Sequence, residues 1–250
     1  MAEGDSLKDY ISSVSTIVHE GYHHYQGMHS SYYDAGVKFR INDTLSFTVK
    51  NFKTFPSIEI NNIVPLATRK KIFRYDSYIN TKEKLLVTQQ FGILGLLEEC
   101  IAYYHSFGTE IALFHFFKDR YGWSDPNTWI TYLSNVASYR YSINEFSLFI
   151  SWYMQYARSK HPEIFRAIIT NDELKNLFTF LRNENKRLTS LYDENRAFIL
   201  KQLGNSVQVR NNFIYNVSDF YGKGLYDKEA EETADLLKKP EHKILDLLIR

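Results

Sequence analysis

LLVTQQFGILGLLEECIAYYHSFGTEIALFHFF, residues 85–117, is apolar on nearly every side. A segment of this length without strict alternation reads as helix, and a helix apolar all round is a buried one. The stretch predicts a central buried helix, or a helix pair broken near Gly108. The fold around it is then mainly α. Glu98 and Glu99 interrupt the apolar surface. A bare carboxylate there is costly unless it is paired, hydrogen-bonded or bound to a cation.

The flanks extend this reading. Upstream, Val37, Phe39 and Ile41 alternate with polar residues, and Leu45, Phe47 and Val49 do so after the turn-like Asn42-Asp43-Thr44. SIEIN (57–61) is a third short run, so the segment 37–61 reads as a small antiparallel meander. Before it, Tyr10, Ile11, Val14, Ile17 and Val18 recur at helical spacing. Ser6 with Asp9, or Asp5, caps that helix, and Gly27 is its expected stop. Downstream, Asp125-Pro126 starts a helix running to about residue 159. Another begins at Thr170 or Asn171, with Glu173 in capping-box spacing from Thr170, and ends near Gly204. Residues 206–217 read as a strand or hairpin, and two short helices follow, at 227–239 and after Pro240. The expected class is mainly α (α+β). Residues 1–204 form one domain, and 205–250 form an extension packed on it.

Bulk properties exclude several functions. The chain has 250 residues, 44% hydrophobic and 24% charged, with net charge +1 and no long run of one sign, which gives no footprint for nucleic acid or a membrane surface. One cysteine, Cys100, rules out an intrachain disulfide. No apolar run spans a membrane, and the first ten residues lack the apolar core of a signal peptide. A cytoplasmic location is the expectation for the chain as it stands.

The residues with the strongest chemical signal lie in STIVHEGYHHYQG (15–27). His19, Glu20 and His23 spell HExxH. Residues four apart on a helix share a face, one turn or about 6 Å along the axis, so two imidazoles can converge on one tetrahedral ion. Glu20 then stands beside the ion rather than on it, where a base for an activated water belongs. A third ligand is needed, and GLLEECIAYYHSFG (95–108) supplies Glu98 or Glu99. Glu99 shares a helix face with Tyr103, Ser106 and Glu110, and that polar face favours it.

HExxH followed far downstream by a helical glutamate in an E-x-x-A setting resembles the gluzincin branch of zinc metallopeptidases. The matching pieces are His19-Glu20-Gly21-Tyr22-His23 and Glu99-Cys100-Ile101-Ala102-Tyr103. The resemblance implies a zincin-like helical domain in which His19, His23 and Glu99 bind Zn²⁺. It also implies Glu20 as general base and a peptide or protein as substrate. Cys100 stands where the family often has glycine. The family's substrate-aligning sheet would have to come here from the strand signals at 37–61 or from elsewhere in the chain. Tyr103 is the candidate oxyanion donor, with Tyr104 and His105 as neighbours of the same kind.

Other readings are open at this level. Glu20-x-x-His23 also matches one half of a di-iron carboxylate site, but no second Glu-x-x-His occurs. His24 points away from the pair, His29 falls in a loop, and His115 belongs to the buried helical region. Tyr139, Arg140 and Tyr141 read as core edge or surface. A non-catalytic helical binding or regulatory protein, with a structural or lost metal site, is the rival function.

Overall fold

The computed structural model describes residues 7–29, 32 and 36–249, with side chains from residue 13 onward. Helix α1 (Leu7–His29) leads into β1 (Gly36–Arg40), β2 (Ser46–Lys50) and a 3₁₀ helix (Ser57–Asn62). Three one-turn helices follow, α2 (Leu66–Arg69), α3 (Tyr75–Tyr78) and α4 (Val87–Gln90). The body is α5 (Ile93–Tyr121), α6 (Pro126–Lys160), α7 (Pro162–Thr170) and α8 (Asp172–Leu203). Then come β3 (Val207–Arg210), β4 (Phe213–Asn216), β5 (Gly222–Gly224), α9 (Asp227–Leu237) and a 3₁₀ helix (Pro240–Leu248). The class is mainly α with small antiparallel sheets, as the sequence predicts. Among the described residues no helix is long and apolar enough to cross a membrane.

Helix α5 is the central rod, with α1, α6 and α8 packed around it. Ile93, Leu96, Leu97, Ile101 and Phe107 on α5 have no solvent exposure. The rod is not broken at Gly108, which lies inside it. Glycine costs a helix about 1 kcal/mol, which tertiary packing on several sides outweighs. The break falls at Gly92, where φ is +53°. A Cβ there would lie 2.4 Å from both the Phe55 carbonyl oxygen and the Tyr153 hydroxyl, so only glycine fits.

The helix ends obey capping chemistry. Asp125 caps α6 by accepting from the backbone of Asn127 and Thr128, with Pro126 in the first turn. Asn171 caps α8 by accepting from Leu174 N at 3.1 Å, and Gly204, at φ +50°, ends it. The turn around His161 and the short α7 fall in a stretch for which the sequence offers no element.

β1 and β2 form an antiparallel hairpin that pairs Val37 with Val49 and Phe39 with Phe47. SIEIN is not its third strand. The segment follows Pro56 as a 3₁₀ helix, and the Ile58 amide donates to the Gln89 side chain at 3.0 Å instead of to a strand. β3, β4 and β5 form a second antiparallel sheet, which packs with α9 on α6.

Helix α1 departs most from the sequence pattern. It runs past Gly27 to His29. The expected caps Ser6 and Asp5 lie outside the described residues, as do the side chains of Asp9, Tyr10 and Ile11. Val14 and Val18 are only half-buried, and Ile17 is 50% exposed. The buried face is instead Ser15, His19, Tyr22 and Gln26. A polar face docks α1 antiparallel onto α5, with Ser106 Oγ donating to the Ser15 carbonyl at 2.9 Å. A helix that buries its polar side and exposes an isoleucine breaks the local rule, and such breaks gather at functional sites.

Candidate metal centre

Two helices build the centre. His19 and His23 sit one turn apart on α1, and α5 passes across them with Glu98 and Glu99. His19 Nε2 and His23 Nε2 are 3.2 Å apart. Glu99 Oε2 is 3.3 Å from His23 Nε2 and 3.7 Å from His19 Nε2. Bonds of about 2.05 Å at tetrahedral angles put ligand atoms about 3.3 Å apart. The three atoms thus stand close to the spacing of three ligand atoms around one tetrahedral ion. His19, His23 and Glu99 together form a group able to hold a metal ion.

The surroundings fit a cation. Glu99 is 4% exposed, and its Oε2 has no hydrogen-bond partner. Burial raises its pKa, against the pull of His23 and the Tyr78 hydroxyl. A buried carboxylate oxygen without a donor is costly, and a metal ion removes that cost. His19 is pushed down to about 4 by burial first, then by the charges of His23 and Arg74, so it is a neutral ligand near pH 7. His23 behaves oppositely. Burial alone would lower it, but Glu98 and Glu99 raise it to about 10 when no cation stands between them.

Glu98 has a different task from Glu99. Its Oε1 lies 2.8 Å from His23 Nδ1, and its Oε2 accepts from the Tyr32 hydroxyl. A carboxylate on the far nitrogen fixes the imidazole tautomer and leaves Nε2 unprotonated for a metal. Choosing between Glu98 and Glu99 by sequence treats them as rivals; in the structure each faces different atoms of the histidine pair. The Glu98–His23 contact carries no sequence signal because it depends on how α5 crosses α1, and the Tyr32 contact likewise joins residues far apart in the chain.

Beside the centre is a cleft of about 270 Å³, lined in part by His19, Glu20, Arg74, Tyr78, Tyr103 and Tyr139. Glu20 is exposed and faces it. The Tyr103 ring packs edge-on against His19 at 4.5 Å. Its hydroxyl accepts from Arg74 Nε at 3.1 Å and pairs with the Tyr78 hydroxyl at 3.1 Å. Arg74 is anchored by Glu145 on α6, with Nη1 2.7 Å from Oε2. Arg74 and Tyr78, which line the cleft, and Glu145, which anchors Arg74, carry no sequence signal, since they meet the α1–α5 crossing from distant parts of the chain. None of the described residues lining the cleft comes from a strand. The hairpin at 36–50 therefore does not provide a substrate-aligning edge there.

The remaining candidates fall away from the centre. His24 and His29 are exposed on α1. His115, expected in the buried region, is exposed instead. His105 is half-buried, with its ring 5.1 Å from Tyr22, and burial lowers its pKa. Tyr104 donates to Glu184 on α8 at 3.3 Å. Arg140 pairs with Asp193 and Asp227, at 3.5 Å and 3.7 Å. Cys100 is buried and its thiol is pushed up to about 12 by burial, so it is inert filler as the sequence implies. No protein-family model matches this chain, and no curated protein or solved structure matches it either.

Proposed function

We propose that the protein is a zinc-dependent hydrolase, a peptidase similar to the gluzincins, with His19, His23 and Glu99 as metal ligands. One observation carries this reading. Two imidazole nitrogens and an orphaned carboxylate oxygen, brought from two helices, stand 3.2–3.7 Å apart beside an open cleft. A zinc ion held there supplies Lewis acidity, making water a usable nucleophile near neutral pH. The Glu20 carboxylate, on the cleft wall, accepts the proton of the attacking water and returns it to the departing amine. The Tyr103 hydroxyl, which already accepts from Arg74, has its own proton to give to the oxyanion of the tetrahedral intermediate. With zinc in place, Glu98 would keep the His23 proton on Nδ1 and so leave the metal-facing nitrogen bare.

The test is zinc content by elemental analysis together with turnover of quenched fluorescent peptides. His19→Ala loses the metal. Glu20→Gln keeps it and loses at least about 100-fold in turnover, the low end of what a positioned base contributes. If Glu20→Gln keeps both metal and full function, the ion is structural and the peptidase reading fails.

A further inference from the structure

Glu99 and Glu145 belong to the metal centre and its support, and the residue beside each faces elsewhere. Cys100 on α5 and Asn144 on α6 line a second cavity of about 380 Å³, closed by α8, the end of α9 and the terminal 3₁₀ helix. That volume lies within the usual range for small-molecule sites, roughly 300–1,000 Å³.

The cavity has an apolar wall and a cationic rim. Ile143, Phe178, Leu181 and Leu245 form the wall. Arg182, Lys186, Lys238 and Lys243 stand at the rim with a single carboxylate, Asp246. Arg182 is engaged by Asp246 at 3.3 Å, and Lys238 by Asp235 at 2.7 Å. Lys186 and Lys243 have no carboxylate partner among the described residues. Between wall and rim, the Asn185 amide group donates to Asn144 Oδ1 at 3.3 Å, and the Asn144 amide group donates to the Ala230 carbonyl at 3.0 Å. Asn185 Oδ1 is buried and accepts from nothing.

An occupant that matches this site carries an apolar group for the wall and an anion for the two lysines, with no second cation beside them. A free ammonium next to four cations is repelled, whereas an amide N–H is not. We propose that this cavity binds an apolar amino-acid residue with a free α-carboxylate and an acylated N–H. A free N-acyl amino acid and the C-terminal residue of a peptide both present that chemistry. The site stands apart from the cleft and is independent of the metal assignment.

Calorimetric titration of the full chain tests it, with Trp fluorescence as a second readout because Trp152 packs 6.0 Å from His242 at the cavity. The probes are N-acetyl-leucine, N-acetyl-leucinamide and a glycine pentapeptide ending in leucine with a free carboxylate. N-acetyl-leucine, with about a dozen heavy atoms, is expected to saturate the site in the roughly millimolar range. The amide binds at least tenfold more weakly. The double variant Lys186→Glu, Lys243→Glu weakens the acid at least tenfold; both side chains are exposed, so the fold is unaffected. A pentapeptide that binds as well as N-acetyl-leucine identifies a chain end as the occupant; binding of N-acetyl-leucine alone identifies a small molecule. Equal binding of acid and amide, indifference to the lysine double variant, or no saturation by about 20 mM overturns the proposal.

Discussion

Replacing Glu98 by glutamine keeps the shape of the side chain and removes its charge. In the unaltered chain Oε1 lies 2.8 Å from His23 Nδ1, and the carboxylate can only accept there. Once a metal displaces the Nε2 proton, the remaining imidazole proton is held on Nδ1 and Nε2 is the ligand atom. A glutamine can turn its NH₂ toward Nδ1 and donate, which moves the imidazole proton to Nε2 and blocks the ligand atom. The neutral amide also makes His23 a less basic ligand. Loss of such a partner typically weakens metal binding 10–100-fold, or about 1.4–2.7 kcal/mol. Glu98 is 5% exposed, so solvent screening does little to blunt the change. Zinc affinity is read by competition with a chromophoric chelator at fixed pH and salt. Glu231→Gln, on an exposed position of α9, serves as the control. Glu99→Gln should lose more affinity than Glu98→Gln, since it removes a ligand instead of the group that orients one. A Glu98→Gln chain with native secondary structure and zinc affinity within about twofold of the parent would falsify the orienting role.

Three further outcomes follow from the packing and the cleft. Tyr103→Phe deletes the hydroxyl between Arg74 and Tyr78 and is expected to lower kcat about 100-fold with zinc content unchanged, measured by steady-state peptidase kinetics. Glu110 is buried, accepts from Ser15 Oγ at 2.6 Å, and is pushed up from 4.5 to about 7 by burial. Its folded pKa exceeds the unfolded one, so its stabilising share is full below about 4.5 and is lost as pH rises to about 7. The loss is about 3 kcal/mol. Glu110→Gln should flatten that slope and be more stable than the parent at pH 8, as read from urea midpoints at pH 5 and pH 8; parallel midpoints in both chains contradict it. Gly95→Ala places a Cβ 2.2 Å from the Val87 carbonyl oxygen, where backbone must move. It should cost about 1–3 kcal/mol or more and lower Tm in calorimetry, and an unchanged Tm refutes the close packing of α4 on α5.

Most of the helical frame could be read in the sequence because its signals are local. Asp125-Pro126 and Asn171 start helices by satisfying their own backbone, whatever lies across from them. The two candidate histidines are legible for the same reason, being one turn apart on a single helix. Bringing Glu99 to them takes a second helix, and its polar face through Tyr103, Ser106 and Glu110 does meet α1. What escaped depends on tertiary context. SIEIN alternates like a strand, but its backbone is engaged by Gln89 from another segment. Val14, Ile17 and Val18 mark an apolar stripe, yet α1 docks by Ser15, His19 and Tyr22, because the partner face of α5 is polar too. Arg74 and Glu145 read as ordinary charges until folding places them 2.7 Å apart.

The order in which the chain is made bears on the crossing of α1 and α5. Residues 19 and 23 leave the ribosome long before residue 99; at roughly 5–20 residues per second the delay is several seconds. During that interval the nascent chain offers two imidazoles and no buried acid, a weak and exchangeable chelate. On the proposed assignment, metal capture would become firm only after the later helix has been synthesised and seated. Bound zinc would then count natively assembled molecules, and the metal-to-protein ratio of a fresh preparation would serve as a census of correct folding.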